Sequence, residues 1–189
     1  HLIPISYRCG FLIAFPELPK RVPLKTLKDH ENYISRLLDF KRYGAEQITL
    51  LRLGIKAKWV LPAVVLEGYG DTITTHIVTD PTKSLLYVPF VDLPDSIKRS
   101  DQDRLRKDAK TAISESVVPT YQAFDVFMRN EYLPAARGSV AASALPGGRA
   151  FYRHRVQQFT TLDVAPENIH QIGLNEVRRI RREMQAIPP

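Results

Sequence analysis

Apolar residues recur at intervals of three and four along most of this chain, the spacing of helices that bury one face. The first clear stripe follows Thr26 and comprises Tyr33, Leu37, Leu38 and Phe40. Thr26 has N-cap chemistry and Asp29 stands three residues on, so a capping box opens a helix there. Gly44 reads as a break, and Ile48, Leu51, Ile55 and Trp59 predict a second helix over 45–59. Pro62 suits a first helical turn, and Val65, Leu66, Tyr69, Ile73 and Ile77 predict a third helix behind it. Ser100 with Asp103 reads as another capping box, opening a helix through 109–117. Pro119 restarts that helix, and Tyr121, Phe124, Phe127, Met128 and Tyr132 continue its stripe. A short helix over 149–159 ends at Thr160 and Thr161. Pro166 opens the last and best-patterned helix, with Ile169, Ile172, Val177, Ile180, Met184 and Ile187 on one face and Pro188-Pro189 as its stop.

Between the stripes lie three segments of different character. Residues 1–24 carry Pro4, Pro16, Pro19 and Pro23 and read as an extended entry, with Cys9 to Ala14 in position to pair as a strand. Residues 79–98 are punctuated by Pro81, Pro89 and Pro94, but Leu85, Leu86, Tyr87, Val88, Phe90 and Val91 give this connection a surface to pack. Residues 138–148 are a loop of small residues ending in Leu145-Pro146-Gly147-Gly148. Helices occupy 25–78, 99–137 and 149–189, and no series of alternating strands occurs. The fold class expected is mainly α: a helical array with a short irregular or strand-like N-terminal element, forming one partial domain over 1–189. Stripes longer than the chain can mutually cover predict an exposed apolar face.

Composition narrows the picture. The 189 residues are 44% apolar and 25% charged, which excludes a disordered chain and suffices for a sizeable core. Cys9 is the sole cysteine, which rules out an intrachain disulfide and a cysteine-based zinc knuckle. The apolar runs, Phe11 to Phe15 and Trp59 to Leu66, fall well short of the roughly 20 residues that span a bilayer. No basic segment precedes a long apolar stretch, so no signal peptide is read, and His1 in place of Met places the native N-terminus outside this chain or marks it as processed. The net charge of +7 is compatible with an acidic partner without demanding one.

Candidate chemistry is sparse. His30-Glu31 starts a helical zinc motif, but Ile34 stands where the second histidine must be, which leaves His30 as a solvated first-turn residue. There is no nucleophile elbow, no phosphate loop, and in Gly68-Tyr69-Gly70-Asp71 no dinucleotide fingerprint. Arg178-Arg179-Ile180-Arg181-Arg182 puts cations opposite the Ile180 and Met184 stripe; an acidic partner is one reading and a solvated face near a helix C-terminus the other. No nucleic-acid motif accompanies the arginines, so nucleic acid is not an expected partner. Tyr152, Arg153, His154 and Arg155 follow the Gly147-Gly148 loop, where freed backbone lets a ligand approach.

From Tyr132 the residues form an ordered series. Tyr132-Leu133-Pro134-Ala135-Ala136-Arg137 is followed by Leu145-Pro146-Gly147-Gly148, Tyr152, Thr160-Thr161 and Pro166-Glu167-Asn168-Ile169-His170-Gln171-Ile172-Gly173-Leu174-Asn175-Glu176-Val177. This series resembles the bacterial family known as domain of unknown function 885. Lys28-Asp29-His30-Glu31-Asn32-Tyr33 and Leu51-Arg52-Leu53-Gly54-Ile55 fit its first half, so the likeness spans nearly the whole chain. Phe159 stands where the family often has His, and Asn168 where an acidic residue is usual.

The resemblance implies a larger, mainly helical protein similar to zinc metallopeptidases of the gluzincin type. It places the metal helix in a C-terminal half outside this chain, so zinc is expected for the full-length protein and no metal ligand is expected here. This chain would supply one wall of a substrate cleft and be inactive alone. Its partners would be the missing C-terminal half and a peptide-like substrate. Arg137, Tyr152 and His170 are the expected substrate-binding residues: a phenol can stabilise an oxyanion and an arginine can hold a carboxylate. His170 can equally be a helix-face residue bonded to the Thr160-Thr161 turn. Many relatives are exported or lipid-anchored, which favours the periplasm or cell envelope, with the cytoplasm as the alternative. The competing reading is a non-catalytic helical module that binds an acidic partner through Arg178 to Arg182.

Overall fold

The computed structural model describes residues 3–5 and 10–187, and the chain divides into two compact units, 1–138 and 139–189. In the first unit the helices are α1 (Phe11–Ala14), α2 (Leu18–Arg21), α3 (Leu27–Lys56), α4 (Tyr69–Thr74), α5 (Arg99–Ala112), α6 (Val118–Phe127) and α7 (Leu133–Ala135). The second unit holds α8 (Gly148–Thr160) and α9 (Pro166–Gln185). The fold is the expected helical array, with only isolated bridges where strands were sought among the described residues.

The N-terminal entry differs from the expectation. Ile5 and Gly10 form one antiparallel bridge, but Phe11–Ala14 is a helical turn rather than a strand. A strand would send Phe11 and Leu12 to opposite faces, whereas both are buried, and a helical turn delivers both to the core. Cys9 lies outside the described residues.

The capping box at α3 is complete: Asp29 N–H donates to Thr26 Oγ1 and Thr26 N–H to the Asp29 carboxylate. These bonds hold that carboxyl below its usual range. Gly44 does not break the helix, which runs 30 residues without interruption. Its missing side chain serves packing instead. A Cβ there would lie 2.3 Å from Thr120 Cγ2, so glycine lets α3 and α6 approach. After Lys56 the helix ends through Lys58 in the left-handed region, with Trp59 N–H on the Gly54 carbonyl at 2.8 Å.

The predicted third helix is split. Pro62 precedes a 3₁₀ turn, Ala63–Leu66, and Gly68 at φ 72° turns the chain before α4 begins. The splitting buries both Leu66 and Ile73 in one core. Ser100 is not a cap: α5 starts at Arg99 with Lys98 as N-cap, and Gln102 reaches back to the Pro94 and Ile97 carbonyls.

Pro119 does not restart a helix either. Residues 99–135 are one helical rod containing two π segments, Ile113–Val117 and Met128–Tyr132. Each ends two residues before a proline, Pro119 or Pro134. Val118 N–H bonds the Ile113 carbonyl and Leu133 N–H the Met128 carbonyl, five residues back. The widened turn absorbs the donor that proline lacks.

This rod packs on α3. Phe40 meets Tyr121 at 5.4 Å between ring centroids, Phe11 meets Phe124 edge-on at 5.1 Å, and Leu37, Leu51, Leu105, Ile113 and Val117 fill the space between. Ser116, in the first π segment, donates to the Leu38 carbonyl and accepts from Lys41 N–H, tying the helices together. The Pro-punctuated connection is pinned by Leu86, Tyr87 and Phe90, by Tyr33 O–H on the Leu86 carbonyl, and by Arg106 on the Phe90 carbonyl.

Two histidines are core residues. His30 is buried against Phe90, with Nδ1 2.9 Å from the Thr26 carbonyl, so the solvated reading fails. His76 is buried and stacks on Tyr121 at 4.6 Å, and burial lowers its pKa.

Candidate functional site

The candidate residues divide between the units. Arg137 closes the first unit. Its N–H donates to the Leu61 carbonyl, its carbonyl accepts from Ala63 N–H, and its Nε donates to the Val60 carbonyl at 3.0 Å. These bonds fix the backbone around Pro62, which is buried, and half-bury the arginine. Tyr132 supports the same corner, with its hydroxyl accepting from Leu61 N–H at 3.1 Å.

Tyr152 and His170 belong to the second unit, on α8 and α9. This unit consists of α8 and α9 and is entered through a tight turn. Gly147 takes φ 66°, and Gly148 lies so close to the 3₁₀ turn Ala142–Ala144 that a Cβ would stand 2.1 Å from the Ala142 carbonyl oxygen. The Leu-Pro-Gly-Gly sequence is thereby explained twice over: one glycine for its dihedral angle, one for its space. At the other end of α8, Thr161 caps the helix at φ 61°, and Thr160 Oγ1 bonds the Val156 carbonyl and receives Leu162 N–H. The Thr-Thr pair thus ends α8, and the connection 161–165 runs back to set the start of α9 beside Arg149, Tyr152 and Arg153. Arg153 fastens it through Asp163 at 2.9 Å.

The first turns of α8 and the start of α9 border an open cleft of ≈ 520 Å³, lined by Ser143, Arg149, Tyr152, Arg153, Ala165, Pro166 and Glu167. Arg149, Tyr152 and Arg153 share a face of α8 because they stand three and four residues apart. Tyr152 is half exposed, so its phenol is available to a ligand. Arg149 and Glu167 were not singled out in the sequence. Their signal was present in the spacing Arg149, Tyr152, Arg153, but only the fold shows that the start of α9 meets that face.

His170 is exposed on α9 outside this lining, and no hydrogen bond joins it to the Thr160-Thr161 turn among the described residues. Phe159, where histidine was the family expectation, is exposed beneath the Arg155 guanidinium at 4.8 Å. On α9, Arg179 is held between Glu176 and Glu183, whereas Arg178, Arg181 and Arg182 line a separate shallow groove with Asn175 and Gln185.

Among the described residues no group of three or more His, Cys, Asp or Glu could hold a metal ion. No helix among them is long and apolar enough to cross a membrane.

A family profile described as bacterial protein of unknown function, DUF885, matches residues 3–188. Among solved structures, the putative lipoprotein from Colwellia psychrerythraea is similar, with a TM-score of 0.78 and 26% identity. The likeness covers 90% of this chain and 30% of that one, so the chain spans less than a third of that relative's length. No curated protein matches.

Proposed function

The chain belongs to the bacterial DUF885 family, and from that premise we propose that it forms one wall of the substrate cleft in a larger protein resembling a zinc-dependent metallopeptidase, inactive on its own. The observation that carries this reading is the cleft between the first turns of α8 and the start of α9: family-like residues bound α8, with Gly147-Gly148 leading into it and Thr160-Thr161 ending it, and Tyr152 gives the cleft its exposed phenol. The apolar stripe of α9 supports it, since that stripe is the kind of surface on which further polypeptide of the same protein packs. The described residues do not fit a zinc site, so zinc stays an expectation for the whole protein and no step is derived through it. Within this chain Tyr152 donates its O–H to the substrate oxygen on which negative charge develops. Arg137, in the first unit, and His170, outside the cleft lining, are proposed substrate contacts of the whole protein by motif position alone, Arg137 as a carboxylate-holding donor, and neither is part of this cleft. The relative described as a lipoprotein supports a cell-envelope location.

Replacing Tyr152 by Phe in the whole protein tests the role. Loss of one oxyanion donor lowers kcat for peptide hydrolysis about 10²-fold. Unchanged turnover removes Tyr152 from the site.

A second reading rests on the arginines of α9 that no acidic side chain neutralises among the described residues, Arg178, Arg181 and Arg182. It makes α9 a docking helix for an acidic partner. Retention on heparin at low salt, lost when these three become Gln, is its expected result; passage without retention ends it.

A further inference from the structure

The cleft beside Tyr152 carries charges of both signs, of which only some are paired. Arg153 is committed to Asp163 at 2.9 Å. Arg149 and Glu167, which line the same cleft, make no ion pair with each other or with any other described residue. A guanidinium fork and a carboxylate therefore face one cavity of ≈ 520 Å³, together with the Tyr152 phenol and the Ser143 hydroxyl-bearing turn. That volume lies in the range of small-molecule sites, roughly 300–1,000 Å³.

Each charge selects a complementary group. A guanidinium presents parallel N–H donors that match a carboxylate, and a carboxylate accepts from an ammonium. A ligand with only one of these leaves the opposite charge of the cleft unanswered. A ligand with both satisfies the pair at once. A cation and an anion kept apart in this way form a template for a zwitterion, with Tyr152 as an amphipathic platform carrying one hydroxyl.

We propose that this cleft binds small zwitterions of the α-amino-acid type, either a free amino acid or a peptide of two or three residues, with Arg149 on the terminal carboxylate and Glu167 on the terminal ammonium. The proposal rests on the reading of this cleft as a substrate site and deepens it. It makes the site selective for chain ends rather than for the interior of a long polypeptide.

The test uses the whole protein and four probes in calorimetric titration: alanine, Ala-Ala, its C-terminal amide and its N-acetyl derivative. Ala-Ala binds, and either blocked form binds at least tenfold more weakly. Arg149→Gln weakens Ala-Ala by about tenfold, the loss of one charged contact, and leaves the amide unchanged. Glu167→Gln does the same for Ala-Ala against the N-acetyl form. Alanine binding as tightly as Ala-Ala assigns the site to free amino acids; weaker alanine binding assigns it to short peptides. Both side chains are exposed, so circular dichroism of the two variants should match the parent. Blocked and free probes binding alike, or no binding of any probe, overturns the proposal. The two readings fail separately. Binding with this pattern but no hydrolysis removes the peptidase reading alone. Hydrolysis lowered by Tyr152→Phe but indifferent to blocked ends removes this one alone.

Discussion

Helices α3 and α9 both present an apolar stripe along one side, yet they stand in opposite conditions. The α3 stripe is covered apart from Leu38: Leu37 and Leu51 are fully buried, and the rod that begins at α5 meets α3 through α5, α6 and both π segments. The α9 stripe is bare: no residue of that helix is buried, and Ile172 and Met184 are 57% and 66% exposed. The sequence pattern is cleaner in α9 than in α3. Periodicity therefore reports that a face is shaped for cover and says nothing about what provides it. In the first unit the cover is within the chain. In the second, the bare stripe lies on the helix whose first turn borders the cleft.

The comparison can be broken at its two close-packed glycines. The largest effect belongs to Gly148→Ala. The new Cβ meets backbone, the Ala142 carbonyl at 2.1 Å, and backbone cannot rotate aside. The change should cost about 3 kcal/mol of stability in the second unit, collapse the NMR shift dispersion of 142–167, and leave the first unit's core signals in place. Gly44→Ala is the counterpart in the first unit. There the obstacle is a methyl group, Thr120 Cγ2 at 2.3 Å, and the helix gains propensity, so a net loss of about 1–2 kcal/mol is expected in denaturant unfolding. Thr120→Ser removes that methyl and keeps the hydroxyl that bonds the Ser116 carbonyl, so Gly44→Ala with Thr120→Ser should recover most of the loss. An equal loss in the double variant would show that the approach of α3 to α6 is not set at this contact.

Smaller effects sharpen the account of the first unit's core. Tyr121 O–H is buried with no hydrogen-bond partner among the described residues, and burial drives its pKa upward. Tyr121→Phe should therefore raise stability by about 1 kcal/mol, read as a higher midpoint in urea. A drop would reveal a partner for the hydroxyl. His76, stacked on that ring, has a pKa lowered by burial from 6.5. The unfolded chain takes up the proton first as pH falls. The stability from a neutral His76 is thus present above pH 6.5 and lost on acidification through the lower folded value. His76→Phe should flatten that part of the stability profile, and an unchanged profile would assign the acid sensitivity to other groups.

The helical class was legible because capping, periodicity and prolines agreed over most of the chain. Thr26 and Asp29 marked the true start of α3, and Thr160-Thr161 the true end of α8. Gly44 and Pro119 were misread for one reason. Local propensity treats glycine and proline as interruptions, whereas packing uses Gly44 as a contact and a π turn accommodates Pro119. His30 and His76 were not legible as core residues, because their polar atoms conceal the aromatic surfaces they pack against. Of the cleft lining, Tyr152 was singled out by its motif position after Gly147-Gly148, and its role is still a proposal, while Arg149 and Glu167 required the fold that brings the start of α9 beside the first turns of α8.

The most direct test of the contrast between the two helices is amide hydrogen exchange on the 189-residue chain, compared with the protein as its gene encodes it. The account predicts that α9 amides at Ile172, Val177 and Ile180 exchange by local opening, at least about 10²-fold faster than Leu37 and Leu51 of α3. It also predicts that α9 slows when further polypeptide is present. Protection of α9 equal to that of α3 in the 189-residue chain would contradict it, because the stripe would then already be covered.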